Sequence, residues 1–186
     1  DEPEAICEAG GYTWVLSVAR VVRGVLETLR SDPETARGYL RDALVTARAV
    51  GDPRHISLAL NYLGLAALSL GQTDEAERVC QEALPIAQQH QDRFQISLAL
   101  QSLGRAALAR RAHADAEALI DEGLTIAREM GDHWLEAKAR GYLGQLALAR
   151  AALARVGKRR AGAAALHVGD APGLARLAGC SGGGQC

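Results

Sequence analysis

Residues 53–92 read PRHISLALNYLGLAALSLGQTDEAERVCQEALPIAQQHQD, and residues 93–132 read RFQISLALQSLGRAALARRAHADAEALIDEGLTIAREMGD. Aligned without a gap, the two stretches agree at 17 of 40 positions. Chance gives only a few such matches, so the chain is built from a repeat of about 40 residues. The register extends in both directions. Val50-Gly51-Asp52, His90-Gln91-Asp92 and Met130-Gly131-Asp132 coincide, as do Gly24, Gly64, Gly104 and Gly144. Ala36, Ala76 and Ala116 recur, and so do Ala47, Ala87 and Ala127. The units fall at about 12–52, 53–92 and 93–132, with a partial unit at 133–152. An N-terminal extension (1–11) and a tail (153–186) lie outside the repeats.

Each unit reads as two helices. Asp52 is a good N-cap, and Pro53 occupies the favoured first helical position. Ile56, Leu60, Leu63, Ala67 and Leu70 then form a helical stripe. Gly71 suits the end of that helix. Thr73 or Asp74 is expected to cap the next, whose stripe is Ala76, Val79, Cys80, Ala83, Leu84 and Ala87. Ser31-Asp32-Pro33-Glu34 predicts a capping box in the first unit. Glycine inside a helix costs about 1 kcal/mol relative to Ala. Four glycines at one repeat position therefore imply helices pressed together, with Gly64 facing the Ala76 helix. Pro85 is expected to bend its helix near Gln81–Ala83.

These residues resemble the tetratricopeptide repeat. The family pairs a large residue with Leu-Gly and a further apolar residue, then places small residues in the second helix. Here that is Leu60, Leu63-Gly64, Ala67, Ala76, Cys80 and Ala83, and again Leu100, Leu103-Gly104, Ala107, Ala116, Ile120 and Gly123. The period of about 40 with Gly-Asp ends is similar to the longer variety. That variety occurs in bacterial LuxR-type, AfsR-like and maltose-activator-type regulators and in adaptors such as the kinesin light chain. The resemblance implies an all-α fold, a right-handed α-α superhelix of antiparallel helix pairs. It also implies a groove lined by the first helix of each unit. In family register the groove carries Asn61, Leu65, Gln101, Arg105, Lys138 and Gln145, a mixed surface suited to an extended or helical peptide. The Lys/Asn clamp by which some members grip a C-terminal carboxylate is not matched, because Leu65 stands where it needs Asn.

Composition agrees with helices and excludes much else. The chain has 36 Ala and 26 Leu among 186 residues, with only 4% aromatics. The formal charge of −1 gives no support for wholesale binding to nucleic acid or anionic membrane. Arginines interrupt every long apolar stretch, so no membrane span and no membrane partner is expected. Cys7, Cys80, Cys180 and Cys186 show no C-x-x-C spacing. The five histidines are scattered, with none at a metal-ligand spacing. No phosphate-binding glycine loop occurs, and Ser181-Gly182-Gly183-Gly184 reads as a flexible end. Neither enzyme activity, cofactor nor metal is expected.

The tail differs from the body. Residues 153–186 hold eight Gly, eight Ala and five basic residues against one acid, about +4. The chain's −1 then leaves about −5 for residues 1–152. Lys158-Arg159-Arg160 lacks aromatic support, so a nucleic-acid role through this segment is not expected. The tail reads as partly disordered, with a short helix over Ala161–Val168. Natural divergence, an artificial end and a shifted reading frame are all compatible with it.

The expected function is a cytoplasmic protein–protein interaction scaffold, a piece of a bacterial transcriptional regulator or signalling ATPase. A self-standing peptide-binding adaptor is the alternative. A small-molecule or enzyme domain is a third reading, and it lacks a pocket with converging polar groups. Self-association through the solenoid ends is a further possible partnership.

Overall fold

A computed structural model describes residues 12–168, with side chains to residue 158. The expectations for residues 1–11 and 169–186 lie outside the described residues. These include the glycine run and Cys7, Cys180 and Cys186. The described chain is seven helices: α1 (Thr13–Leu29), α2 (Pro33–Val50), α3 (Pro53–Ser69), α4 (Thr73–Gln89), α5 (Arg93–Ala109), α6 (His113–Met130) and α7 (His133–Val168). The fold is an all-α TPR-like solenoid. α1 packs with α2, α3 with α4 and α5 with α6. α1 also meets α3, and α3 meets α5, so the first helices of successive units lie side by side.

The helix starts follow the repeat. Asp52 Oδ1 accepts from the backbone N–H of Arg54 at 3.0 Å and His55 at 3.3 Å. Asp92 accepts from Gln95 at 3.1 Å and Asp132 from Leu135 at 2.9 Å. In the second, third and fourth units one carboxylate thus accepts from free donors of the first helix, whereas at α1 the boundary residue is Tyr12, with no side-chain cap. Two capping expectations are corrected. Neither Thr73 nor Asp74 caps α4; the boundary residue is Gln72, with no side-chain cap. At α2 the cap is Asp32 to Thr35, and Glu34 pairs with Arg37 instead of closing a box. α4 continues through Pro85 to Gln89.

The turns share one backbone device. Gly51, Gly71 and Gly131 have φ of +74°, +73° and +70°, while Ser31, Gln91 and Arg111 hold +63°, +53° and +64°. Glycine adopts this left-handed conformation freely, and the other three are held in it by the helices packed on either side.

Small residues set the spacing. A Cβ on Gly24 would lie 2.4 Å from Leu40 Cγ, one on Gly64 2.3 Å from Cys80 Sγ, and one on Gly104 2.5 Å from Ile120 Cγ1. Residues 40, 80 and 120 share a repeat position, so each unit presses the second helix's apolar residue onto the first helix's glycine. The nearest atom to Gly64 is thus Cys80 rather than Ala76, whose carbonyl oxygen is 3.6 Å away. Around these contacts Leu40, Leu60, Leu98, Ile120 and Leu135 are fully buried. Each such side chain contributes roughly 1.5–3 kcal/mol.

The fourth repeat glycine breaks the pattern. Nothing lies within 4 Å of a Cβ on Gly144. The packed body ends at Leu146 and a separate unit begins at Ala147. α7 runs without interruption to Val168. The left-handed residues 31, 71 and 111 would be followed by Ala151, which stays helical. The sequence explains why. At the position of Leu40, Cys80 and Ile120 the next residue is Arg160, and at that of Ala47, Ala87 and Ala127 it is His167. A turn at 151 would bring back a stripe interrupted by Arg159, Arg160 and His167, while Ala, Leu and Arg favour continued helix.

Candidate functional site

The groove residues named from the sequence separate into two groups. Asn61 and Gln101 are fully buried. Asn61 Nδ2 donates to the carbonyl oxygen of Gln95 at 3.1 Å and to its Oε1 at 2.8 Å. Gln101 Nε2 donates to the Leu135 carbonyl at 3.2 Å and to Ser97 Oγ at 3.1 Å. Both amides therefore bond to the first helix of the next unit. Their repeat position faces the start of the neighbouring unit's first helix. Leu65 is buried as well, at 6% exposure. Gln145 is exposed.

Arg105 and Lys138 are brought together, with residues that the sequence reading passed over. Arg105, on α5, is half-buried and lies 5.7 Å from the Tyr142 ring centroid. Lys138, on α7, lies 5.1 Å from the Trp134 ring and 5.9 Å from the Tyr142 ring. The spacing 134, 138, 142 puts all three on one helix face, one turn apart. Trp134 stacks on Phe94 of α5 at 6.2 Å with an interplanar angle of 14°. These aromatics join the third unit to the fourth, in a chain with only seven (two Trp, four Tyr, one Phe). The regular i, i+4, i+8 pattern was available in the sequence as the signal.

The electrostatics of this cluster are one-sided. The Lys138 stem is partly exposed, but Nζ is buried and has no hydrogen-bond partner. Among the described residues no carboxylate pairs with Arg105 or Lys138, whereas Arg41 pairs with Glu75, Arg48 with Glu82 and Arg93 with Glu129. Burial, reinforced by the neighbouring Arg105 charge, pushes the Lys138 amine down to about 7. Burial pushes the Cys80 thiol up to about 12, so it is uncharged at neutral pH and supplies no counter-ion. Burial also raises the Tyr142 hydroxyl, against the opposing effect of Arg105. The geometry holds two cations against aromatic faces with the compensating anion missing.

A second place on the surface is electrostatically balanced. A cleft of about 310 Å³ is lined by Glu77, Gln81, Leu103, Arg110, Asp115 and Leu119, among others. Its one cation, Arg110, is paired with Asp74 and Glu77. Among the described residues no three His, Cys, Asp or Glu side chains converge as metal ligands, and no helix is long and apolar enough to cross a membrane.

Comparison with known proteins bears on the fold. Residues 16–89 match the family model described as "Tetratricopeptide repeat". The structure is similar to the TPR domain of Arabidopsis FLU, with TM-score 0.57 and 21% identity, covering 64% of this chain and 99% of that one. It is also similar to BtubC (BKLC) from P. vanneervenii, with TM-score 0.56 and 16% identity, covering 93% of this chain and 72% of that one. No curated protein matches the sequence. Tetratricopeptide repeats generally mediate protein–protein interaction and are typically non-catalytic scaffolds.

Proposed function

We propose that this chain is a protein-interaction scaffold that binds an extended or helical segment of a partner along the face made by its first helices. The observation that carries the reading is the group formed by Arg105, Lys138, Trp134 and Tyr142. It joins uncompensated positive charge to aromatic surface, with Trp134 44% exposed. Aromatic and Arg side chains of this kind dominate the energy of many interfaces. Arg105→Glu combined with Lys138→Glu should abolish capture of the partner in pull-down while helicity is kept. Undiminished capture by the double variant rejects this face.

The period of about 40 residues and its Gly-Asp ends support a setting in a cytoplasmic bacterial regulator, where the repeats would serve sensing or assembly. A self-standing adaptor has the same repeat body. The flanking coding sequence separates the two: a nucleotide-binding loop or a DNA-binding helix-turn-helix belongs to the regulator.

A further inference from the structure

Lys138 poses a physical problem that the described residues do not solve. A buried ammonium without a partner is costly, and a second cation beside it adds to the cost. The groups that act on Nζ are Arg105 from α5, Cys80 from α4, and Trp134 and Tyr142 from α7 itself, while α6 packs on α7 beside them through the apolar Ala116, Ile120 and Leu124. None is an anion at neutral pH. The ring faces attract a cation, yet they replace only part of its lost hydration. These surroundings lower the proton affinity of the amine, to a value of about 7. Lysine can shed its proton in this way and arginine cannot. The chain has 19 Arg and only two Lys, and the cation placed here is Lys.

We infer that Arg105 and Lys138 together seat one oxyanion of the ligand, and that Lys138 takes up a proton from solvent as the anion arrives. Arg105 keeps its charge throughout and supplies the constant part of the attraction. The amine becomes an ammonium, and that ammonium and the anion then compensate each other inside the site. The Lys138 stem is partly exposed although its Nζ is buried. Leu65, which stands where the Lys/Asn clamp needs Asn, takes no part. The carboxylate of an acidic side chain and a free inorganic oxyanion share this chemistry.

The inference rests on the proposed reading of this face, and calorimetry tests it separately. The probes are inorganic sulfate and N-acetylglutamate amide, which remain ionised from about pH 6 to 9, with N-acetylglutamine amide as the neutral control. At least one anion should bind saturably to the full chain and the control should not; the tighter anion identifies the source. Affinity should be level below about pH 7 and fall towards tenfold per pH unit above it. Titrations in two buffers of different ionisation enthalpy should show proton uptake, approaching one per anion near pH 8. Lys138→Arg should keep binding and lose the proton uptake, and Lys138→Met should lose binding. Failure of both anions overturns the seat, and binding without proton uptake overturns the coupling. If both anions fail while the Arg105→Glu, Lys138→Glu variant still loses partner capture, the proposed function stands without this inference.

Discussion

Asn61 Nδ2 donates to Gln95 Oε1 at 2.8 Å, across the joint between the second and third units. Forty residues later Gln101 makes the corresponding reach, to Leu135 of the fourth unit. A solenoid depends on such joints, because each unit contacts only its neighbours. Asn61→Ala removes a buried donor and strands Gln95. It should cost about 1–3 kcal/mol. Urea denaturation followed by circular dichroism measures the loss, and a shift in midpoint below a few tenths of a kcal/mol would show that the bond contributes little.

The repeat glycines should respond in opposite directions. A Cβ on Gly104 meets Ile120 Cγ1 at 2.5 Å and the Ala116 carbonyl oxygen at 3.1 Å, so backbone as well as side chain must give. Gly104→Ala should destabilise by about 1–3 kcal/mol. Gly144 has open space around it, so Gly144→Ala gains helix propensity and should stabilise by roughly 0.5–1 kcal/mol. Thermal melts of the two variants decide the point; equal shifts of the same sign contradict it.

Gly64 offers a compensated version of the same experiment. The atom blocking a Cβ there is Cys80 Sγ at 2.3 Å, the end of a short buried side chain. Gly64→Ala alone should destabilise, and Cys80→Ala in the same chain should restore part of the loss. A double variant no better than the sum of the singles would place the strain elsewhere.

Lys138 couples stability to pH. Its folded-state value, about 7, lies below the ordinary 10.5. Between these values the unfolded chain holds a proton that the folded chain has lost, so stability rises with pH. The full penalty applies below about pH 7. Lys138→Met should therefore stabilise the chain, with the larger gain at pH 6 and the smaller at pH 9. A constant difference across that range indicates an amine that titrates normally.

Asp52 does more than cap α3. Its Oδ2 also accepts from Trp14 Nε1 at 3.3 Å and lies 2.6 Å from His55 Nδ1. Burial raises this carboxyl, but the His55 and Trp14 bonds outweigh it and the net direction is down. Asp52→Ala should cost about 1–2 kcal/mol, the range of a lost N-cap. Near-UV circular dichroism should report the released Trp14, and an unchanged spectrum would leave only the cap.

Much of the architecture was legible because it is periodic. Residues 53–132 state each helix twice, so Asp52 and Asp92, and Gly64 and Gly104, corroborate one another. Caps and turns are local, and a residue's type is enough to suggest them. Thr73 misled because Gln72, without a capping side chain, is the boundary once α4 packs on α3. The site was less legible. Family register put Asn61 and Gln101 in the groove, but their amides point along the stack to the next unit. Arg105 and Lys138 were named individually, and nothing in their spacing of 33 residues told that they share one aromatic surroundings with Tyr142.

The sequence by itself determined the repeat length, the helix pairs and the places where helices must come close, because propensity, capping and hydrophobic period act over a few residues. Only the tertiary structure decided which polar residues bond from one unit to the next and which do not. That choice depends on the neighbouring unit, which satisfies the Asn61 and Gln101 donors but brings Lys138 no anion. It also decided the fate of the fourth unit. Among the described residues no side chain meets the small residue at Gly144, where the earlier units place their second helix.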